Sequence, residues 1–435
     1  MKIALINHGC AKNLVDAELL LGILTNKGYQ VTLDENEADI VIVNTCSFIH
    51  DAEKESVQSI LQMIEAGKKV IVSGCLSQKH KKDLKNAIPE LAGMIGTSNL
   101  KDIEKIVDNI VKSNDYLEIV PENPEYIYPE DITRQQVTMG ASSYLKIGEG
   151  CNYRCGYCII PKLRGKYISR PIENIVKEAK QLADKGVTEI ILIAQDTSSY
   201  GIDLYGKQAL PELLEELNKI ENISWIRIMY AYPTQMTDEL IDAIARLDKV
   251  VKYVDIPLQH SHPRVLESMK RPVMDYTKLV DKIRKRIPGV SVRTSLIVGY
   301  PGETEEEFEH LYNFVKNVKF DRMGAFEYSK EKGTYSYSLK NQISAKIKKQ
   351  RRNKLMELQQ KISLENNEKY INTELKCIVE GYTDDGVIIL RSEHDAPEID
   401  GLVYASSTRT VVPGDLELVK INDADEYDLF GEIID

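Results

Sequence analysis

The sequence predicts a three-part α/β chain: an N-terminal open parallel α/β sheet, a central incomplete (β/α)6 barrel and a C-terminal small antiparallel β-barrel. Three observations carry this prediction. Strand-like apolar runs alternate with helix-like periodic segments through most of the chain, which is the pattern of parallel sheets. After residue 368 the pattern changes to short runs separated by Gly, Pro and Asp, as in a small antiparallel barrel. At 435 residues the chain exceeds a single core. The expected divisions are 1–115, a linker at 116–140, 141–368 and 369–435.

In the first part, residues 2–7, 38–44 and 69–73 read as strands. Helical segments are expected at 13–27, ended by Gly28, at 52–66 and near 78–87. The stretch around 115–136 holds several prolines and little periodicity, so it reads as a linker.

The cysteines carry the chemistry. Seven in a long chain expected to be cytosolic argue for metal binding or catalysis rather than disulfides. Six fall into two triplets. Cys151, Cys155 and Cys158 have C-x3-C-x2-C spacing. Three thiolates hold three irons of a 4Fe–4S cluster and leave the fourth open, whereas ferredoxins close all four with differently spaced cysteines. Zinc would want a fourth Cys or His nearby, and Ile159, Ile160 and Pro161 follow instead. Cys10, Cys46 and Cys75 each come within a few residues of a strand end. Loops at the carboxyl ends of parallel strands line one edge of the sheet, so these three are expected to converge there. Gly9 and Gly74 precede two of them and allow a sharp turn. The bland alternative is three unrelated core cysteines; the repeated strand-then-Cys order favours a second, auxiliary cluster with three protein thiolates. Cys377 is left over and reads as a buried structural thiol.

The central part offers six β/α units by count, with strands at 143–148, 188–194, 225–230, 253–256, 291–298 and 322–328. Active residues of such a barrel lie at the carboxyl ends of its strands. Candidates are Gln195, Asp196 and Thr197, then Tyr232 and Pro233, then Gln259, His260 and Ser261. Arg293 and Ser295 lie in the fifth strand, which runs into Gly299-Tyr300-Pro301-Gly302, a possible plain turn. His260 and His262 suit a cap or surface role better than metal ligation. Arg164-Gly165-Lys166 reads equally as a solvated basic turn.

Residues 343–366 read as one helix with Lys346, Lys348, Lys349, Arg351, Arg352 and Lys354 clustered, a pattern of solvated faces more often than of nucleic-acid contacts. From Ile371 onward there are four Lys and Arg against sixteen Asp and Glu. Of the net charge of −11, this tail therefore carries −12 and the rest about +1. Such a surface repels phosphate and suits a basic protein partner. No run is long enough to span a membrane, and a cytoplasmic location is expected.

The motif Cys151-Asn152-Tyr153-Arg154-Cys155-Gly156-Tyr157-Cys158, with an aromatic just before the last Cys, resembles that of radical S-adenosylmethionine (SAM) enzymes. Gly9-Cys10-Ala11-Lys12-Asn13, Asn44-Thr45-Cys46 and Ser73-Gly74-Cys75 ahead of it resemble the methylthiotransferase family, whose closing domain is a TRAM domain. The segments 195–206 and 9–16 resemble its RimO branch, which methylthiolates an aspartate of small-subunit ribosomal protein twelve. The resemblance implies two 4Fe–4S clusters, on Cys10, Cys46 and Cys75 and on Cys151, Cys155 and Cys158. SAM is chelated by the open iron of the latter and cleaved to a 5′-deoxyadenosyl radical. Tyr157, Gln195, Asp196, Arg293 and Ser295 are the expected SAM-binding side chains, and Arg164-Gly165-Lys166 borders the active site. A reductant such as flavodoxin or ferredoxin and a sulfur donor are the expected partners, beside the ribosomal protein on the acidic domain. The tRNA-modifying MiaB branch is the near alternative, which the tail charge disfavours. A non-enzymatic iron–sulfur electron carrier is the remote one, and it gains nothing from two open irons.

Overall fold

The computed structural model describes residues 1–47, 50–113, 115–137 and 140–434. The chain forms two compact units. One comprises Met1–Met139, Lys146–Arg154 and Cys158–Asn174; the other comprises Gly140–Leu145, Cys155–Tyr157 and Ile175–Asp435. The units cut across the divisions expected from composition, because 146–154 and 158–174 group with the N-terminal sheet and the C-terminal barrel groups with the β/α strands.

The first unit is built on six strands: β1 Lys2–Asn7, β2 Gln30–Val31, β3 Ile40–Thr45, β4 Lys69–Gly74, β5 Gly93–Ile95 and β6 Leu117–Ile119. They form one parallel sheet in the order β2-β1-β3-β4-β5-β6. β3 is buried along its whole length, as a strand covered on both faces must be. Helices Ala11–Asn26, His50–Glu65, Cys75–Ala87 and Ile103–Lys112 connect and cover the strands. The last of these buries Ile103, Ile106, Val107 and Ile110, a helical stripe that the strand-and-cysteine reading passed over. The stretch expected to be a linker instead supplies β6 and buries Tyr126 and Arg134. Strand order reverses between β1 and β3, and ligands of open α/β sheets bind beyond the carboxyl ends at such a point. A short antiparallel pair, β8 Gly148–Glu149 with β9 Ile168–Ser169, flanks the second cysteine motif, with β7, Ser142–Lys146, just before it.

In the second unit the expected strands appear as β10 Glu189–Ile193, β11 Trp225–Ile228, β12 Tyr253–Asp255, β13 Ser291–Val298 and β14 Arg322–Glu327. They pair in two groups, β11-β10-β7 and β12-β13-β14. Between β11 and β12 the ladder shrinks to the bridge Ile226↔Val250 and the bond Ala231 N to Asp255 O of 2.8 Å. Along β13, Val292, Thr294, Leu296 and Val298 are buried while Arg293, Ser295 and Ile297 are half-buried, the two-residue alternation of a barrel strand. Helix Ala345–Asn367 follows. Some of its cations pair within the unit: Lys354 with Glu309, Arg351 with Glu305 at 2.9 Å, and Lys348 Nζ donates to Tyr328 O at 2.7 Å, while Lys346 and Lys349 are exposed, as a solvated face requires.

The C-terminal barrel is closed, with β15 Glu374–Tyr382, β16 Ile388–Ser392, β17 Val403–Ser406, β18 Leu416–Ala424 and β19 Leu429–Ile433 in the order β15-β16-β17-β19-β18. Four of these strands are legible as short runs; β19, flanked by acids, is not. Cys377 lies wholly buried in the barrel core with Val379, Leu390, Val403 and Val419, and burial pushes its thiol far up, as suits an inert structural residue.

Candidate active site

In the first unit Cys10 caps helix Ala11–Asn26 and Cys75 is the first residue of helix Cys75–Ala87, so both sulfurs stand where helix N-termini favour anions. Gly74 makes the turn at φ 94°; a Cβ there would come within 2.7 Å of Asn44 Oδ1 and Thr45 O. Thr45 pairs with Gly74 as the last pair of the β3–β4 ladder, so Cys46 and Cys75 each follow directly on the carboxyl end of their strand. Asn13 collects the group. Its Oδ1 is 4.0 Å from Cys10 Sγ and 4.0 Å from Cys75 Sγ, and its Nδ2 donates to Thr45 O at 2.8 Å. The expected convergence at the carboxyl edge is thus present for Cys10 and Cys75, with Cys46 one residue beyond Thr45.

Behind these sulfurs lies a buried cluster of charge. Lys146 Nζ donates to Asp16 Oδ1 at 2.5 Å and to Glu149 Oε2 at 2.6 Å. Arg164 Nη1 donates to Asp16 Oδ2 at 2.6 Å and Glu149 Oε2 at 3.1 Å, while Nη2 reaches Asn13 Oδ1 and, at 3.5 Å, Cys75 Sγ. Two cations face two carboxylates, the pairing that burial demands. Arg164 is therefore no solvated turn. Contact with neighbouring atoms pushes the exposed Cys10 thiol up, but Lys12, Arg164 and the N–H groups of Asn13 and Lys12 outweigh this and leave it below its ordinary value. Burial pushes the Cys75 thiol up, against Arg164. Lys146, Glu149 and Asp16 were invisible as site residues in the sequence. A lysine and a glutamate inside an apolar strand segment, S-S-Y-L-K-I-G-E, are the one signal that a buried pair was coming.

In the C-x3-C-x2-C motif Cys151 and Cys158 group with the first unit and Cys155–Tyr157 with the second. In the first, Cys151 N donates to Gly165 O at 3.2 Å and Asn152 Oδ1 accepts from Tyr167 N at 3.1 Å. In the second, Gly156 N donates to Met269 O at 2.7 Å and Gly156 O accepts from Ser336 N at 2.8 Å. Tyr157 packs against Val265, Met269, Tyr300 and Tyr328. Arg271, buried over the Tyr232 ring, brings Nη1 to 4.0 Å from Cys155 Sγ and donates Nη2 to Pro257 O at 2.5 Å. It was not foreseen.

Two expected SAM contacts have other employment. Arg293 donates to Asp255 Oδ1 at 3.3 Å and to Asp400 Oδ1 of the C-terminal barrel at 3.2 Å. It stands third in β13, toward the amino end, where its charge is met by these two carboxylates. Asp196, buried, binds Ser198 N at 3.0 Å, Ser198 Oγ at 2.5 Å and Ser199 Oγ, so it shapes its own loop. Burial pushes its carboxyl up, against those hydrogen bonds. Gln195 and Ser295 remain half-buried. His260 acts as a local cap, its Nδ1 accepting from His262 N at 3.0 Å.

None of the seven cysteines is in a disulfide. Among the described residues no three His, Cys, Asp or Glu gather as around a single metal ion. A cluster differs, since it binds each cysteine through a separate iron and so spreads its thiolates. Free sulfurs flanking one buried amide, with guanidinium groups beside Cys75 and Cys155, fit such a group.

Comparison with known proteins agrees. Residues 145–315 match the Radical SAM superfamily, residues 2–96 the Uncharacterized protein family UPF0004 and residues 371–434 the TRAM domain. The chain is 46% identical to ribosomal protein uS12 methylthiotransferase RimO of Clostridioides difficile, covering 100% of this chain and 99% of the relative. It is 50% identical to the protein of that name from Caldanaerobacter subterraneus, with 99% of each covered. The solved structure of the radical S-adenosylmethionine methyltransferase TsrM from Kitasatospora setae is similar in fold, at TM-score 0.56 and 15% identity over 74% of this chain and 72% of that one. With both cysteine triplets in place and such identity along its whole length, this chain belongs to the RimO family of radical SAM methylthiotransferases.

Proposed function

We propose that this enzyme inserts a methylthio group at the β-carbon of an aspartate in ribosomal protein uS12, the small-subunit protein twelve, using SAM and two 4Fe–4S clusters. The observation that carries the proposal is the meeting of Cys10 and Cys75 on Asn13 at the sheet edge, in a chain that also carries the C-x3-C-x2-C motif. Relatives of 46% and 50% identity bear the name of uS12 methylthiotransferase, which supports the substrate. Cys151, Cys155 and Cys158 would hold one cluster, and Cys10, Cys46 and Cys75 the auxiliary one. When bound, the two clusters and SAM supply the one-electron and sulfur chemistry that an unactivated C–H bond needs and that acid–base catalysis lacks.

The protein's own residues do the holding. Tyr157 pins the cysteine loop into its apolar neighbours, and Arg271 turns a charge toward Cys155. Gln195 and Ser295, both half-buried, are the side chains expected to meet SAM, while Asp196 and Arg293 keep the loop and the strand in shape. Of the C-terminal acids, Asp395, Asp400, Glu380 and Glu417 are spent on Arg322, Arg293, Arg391 and Arg409. Glu374, Asp384, Asp385, Glu398, Asp423 and Glu432 remain exposed and would steer a basic ribosomal protein. That surface opposes phosphate, so tRNA is the weaker substrate. A reductant such as flavodoxin or ferredoxin and a sulfur donor complete the reaction, and a ribosomal substrate implies work in the cytoplasm.

The test uses the anaerobically reconstituted, reduced protein with SAM, offered uS12 and unmodified tRNA separately. A methylthio mass increment on an aspartate of uS12 is expected. An increment on tRNA adenosine instead would overturn the substrate.

A further inference from the structure

We propose that Arg164 sets the reduction potential of the auxiliary cluster, by donating an N–H to the Cys75 sulfur while two buried carboxylates hold its guanidinium in place. The inference rests on the proposed ligation by Cys10, Cys46 and Cys75, and concerns how this chain tunes whatever those sulfurs hold.

The geometry divides the guanidinium into two working ends. Nη1 is bound by Asp16 Oδ2 at 2.6 Å and Glu149 Oε2 at 3.1 Å. Nη2 faces Asn13 Oδ1 and Cys75 Sγ, the latter at 3.5 Å. A planar fork holds two carboxylates on one nitrogen and presents donors on a second nitrogen set apart from it, whereas a lysine directs all its donors from one point. The side chain is 2% exposed, so neither end is diluted by water. Lys146 binds the other oxygen of Asp16, Oδ1 at 2.5 Å, and shares Glu149 Oε2 with Arg164, at 2.6 Å. The carboxylates are therefore shared by two cations, and Arg164 is not fully neutralised by a partner of its own. A positive donor against a ligating sulfur draws electron density from the iron–sulfur unit and favours its more negative, reduced state. Hydrogen bonds to sulfur, net charge and burial are the levers by which proteins move cluster potentials. The same carboxylates anchor the strand into the second motif, since Glu149 Oε1 accepts from Gly150 N at 3.3 Å, directly ahead of Cys151.

The experiment uses the full chain with Cys151, Cys155 and Cys158 all changed to Ala, so that one triplet remains. This parent, Arg164→Lys and Arg164→Gln are reconstituted anaerobically with iron and sulfide. Iron content, circular dichroism and the cluster midpoint potential, from titration followed by electron paramagnetic resonance, are measured for each. The parent is expected to bind one cluster. Arg164→Lys keeps the charge for Asp16 and Glu149, so it is expected to fold and bind iron as the parent does, with a more negative midpoint. Arg164→Gln is expected to move it further the same way. If Arg164→Gln fails to fold, Arg164→Lys decides. An unchanged midpoint in a folded, iron-loaded Arg164→Lys overturns the role of Arg164 and leaves the auxiliary cluster standing. A parent that binds no iron overturns the auxiliary cluster itself, and the tuning with it.

Discussion

Lys146 Nζ stands 2.5 Å from Asp16 Oδ1, with 0% and 5% of the two side chains exposed. The residues are 130 positions apart, so the contact ties the strand before the second cysteine motif to the helix after the first. Lys146→Met would leave Asp16 and Glu149 sharing Arg164 alone. Removing one partner of a buried ion pair costs about 3–5 kcal/mol. Urea unfolding at neutral pH should show a loss of that order, and an unchanged midpoint would mean that the pair contributes nothing.

The joint between the C-terminal barrel and the β/α strands should respond to acid. Glu189 accepts from Arg227 at 2.8 Å and from Arg391. Burial pushes its carboxyl up, but Arg391 and then Arg227 outweigh it and hold it at about 2. The folded value lies below that of an unfolded glutamate. Its stabilisation is thus complete above the ordinary carboxylate range and is lost as pH falls through about 2. Between about pH 5 and pH 2 the wild type should lose more stability than Glu189→Gln. Parallel curves for the two proteins would refute this.

The two triplets should separate by chemistry. Cys155→Ala is expected to abolish SAM cleavage. Cys75→Ala should retain cleavage, lose methylthio transfer and bind about half the iron, since each triplet is proposed to hold one 4Fe–4S cluster. Cleavage surviving in Cys155→Ala would sink the assignment of the C-x3-C-x2-C motif.

Arg293 and Ser295 lie two residues apart on the same side of β13, yet their variants should differ in kind. Arg293→Ala leaves Asp255 and Asp400 without that cation and should lower stability by about 3–5 kcal/mol. Ser295→Ala should leave stability intact and weaken SAM binding by about tenfold, the worth of a hydrogen bond to a charged group. Equilibrium dialysis with SAM beside thermal melting distinguishes them; a stable Arg293→Ala with impaired SAM binding would restore Arg293 as a ligand contact.

Charge reversal tests docking. Asp384, Asp385 and Asp423 are exposed on the C-terminal barrel, so changing all three to Lys should leave the fold intact and weaken uS12 binding. The loss should shrink as salt rises. Equal affinity for both proteins at low salt would count against an electrostatic dock.

The sequence by itself determined the parts that depend on near neighbours. Apolar runs such as I-V-I-V-N-T and K-V-I-V-S-G could only be covered strands, and cysteines just beyond them had to line one sheet edge. C-x3-C-x2-C is a local ligand spacing, and it named its chemistry before any fold was known. What the tertiary structure decided is where charge goes once the chain is compact. Nothing local marks Arg164 as the partner of Asp16, 148 residues away, or Arg293 as the partner of Asp400, 107 residues away. A polar residue at a strand end looks like a ligand contact in sequence, but a buried charge must first satisfy the opposite charge nearest to it, and only packing sets that distance. The same reason turned Arg351 and Lys348 of the basic helix inward and spent part of the acidic tail on arginines. It also left Arg164 with one edge of its guanidinium against the sulfur of Cys75.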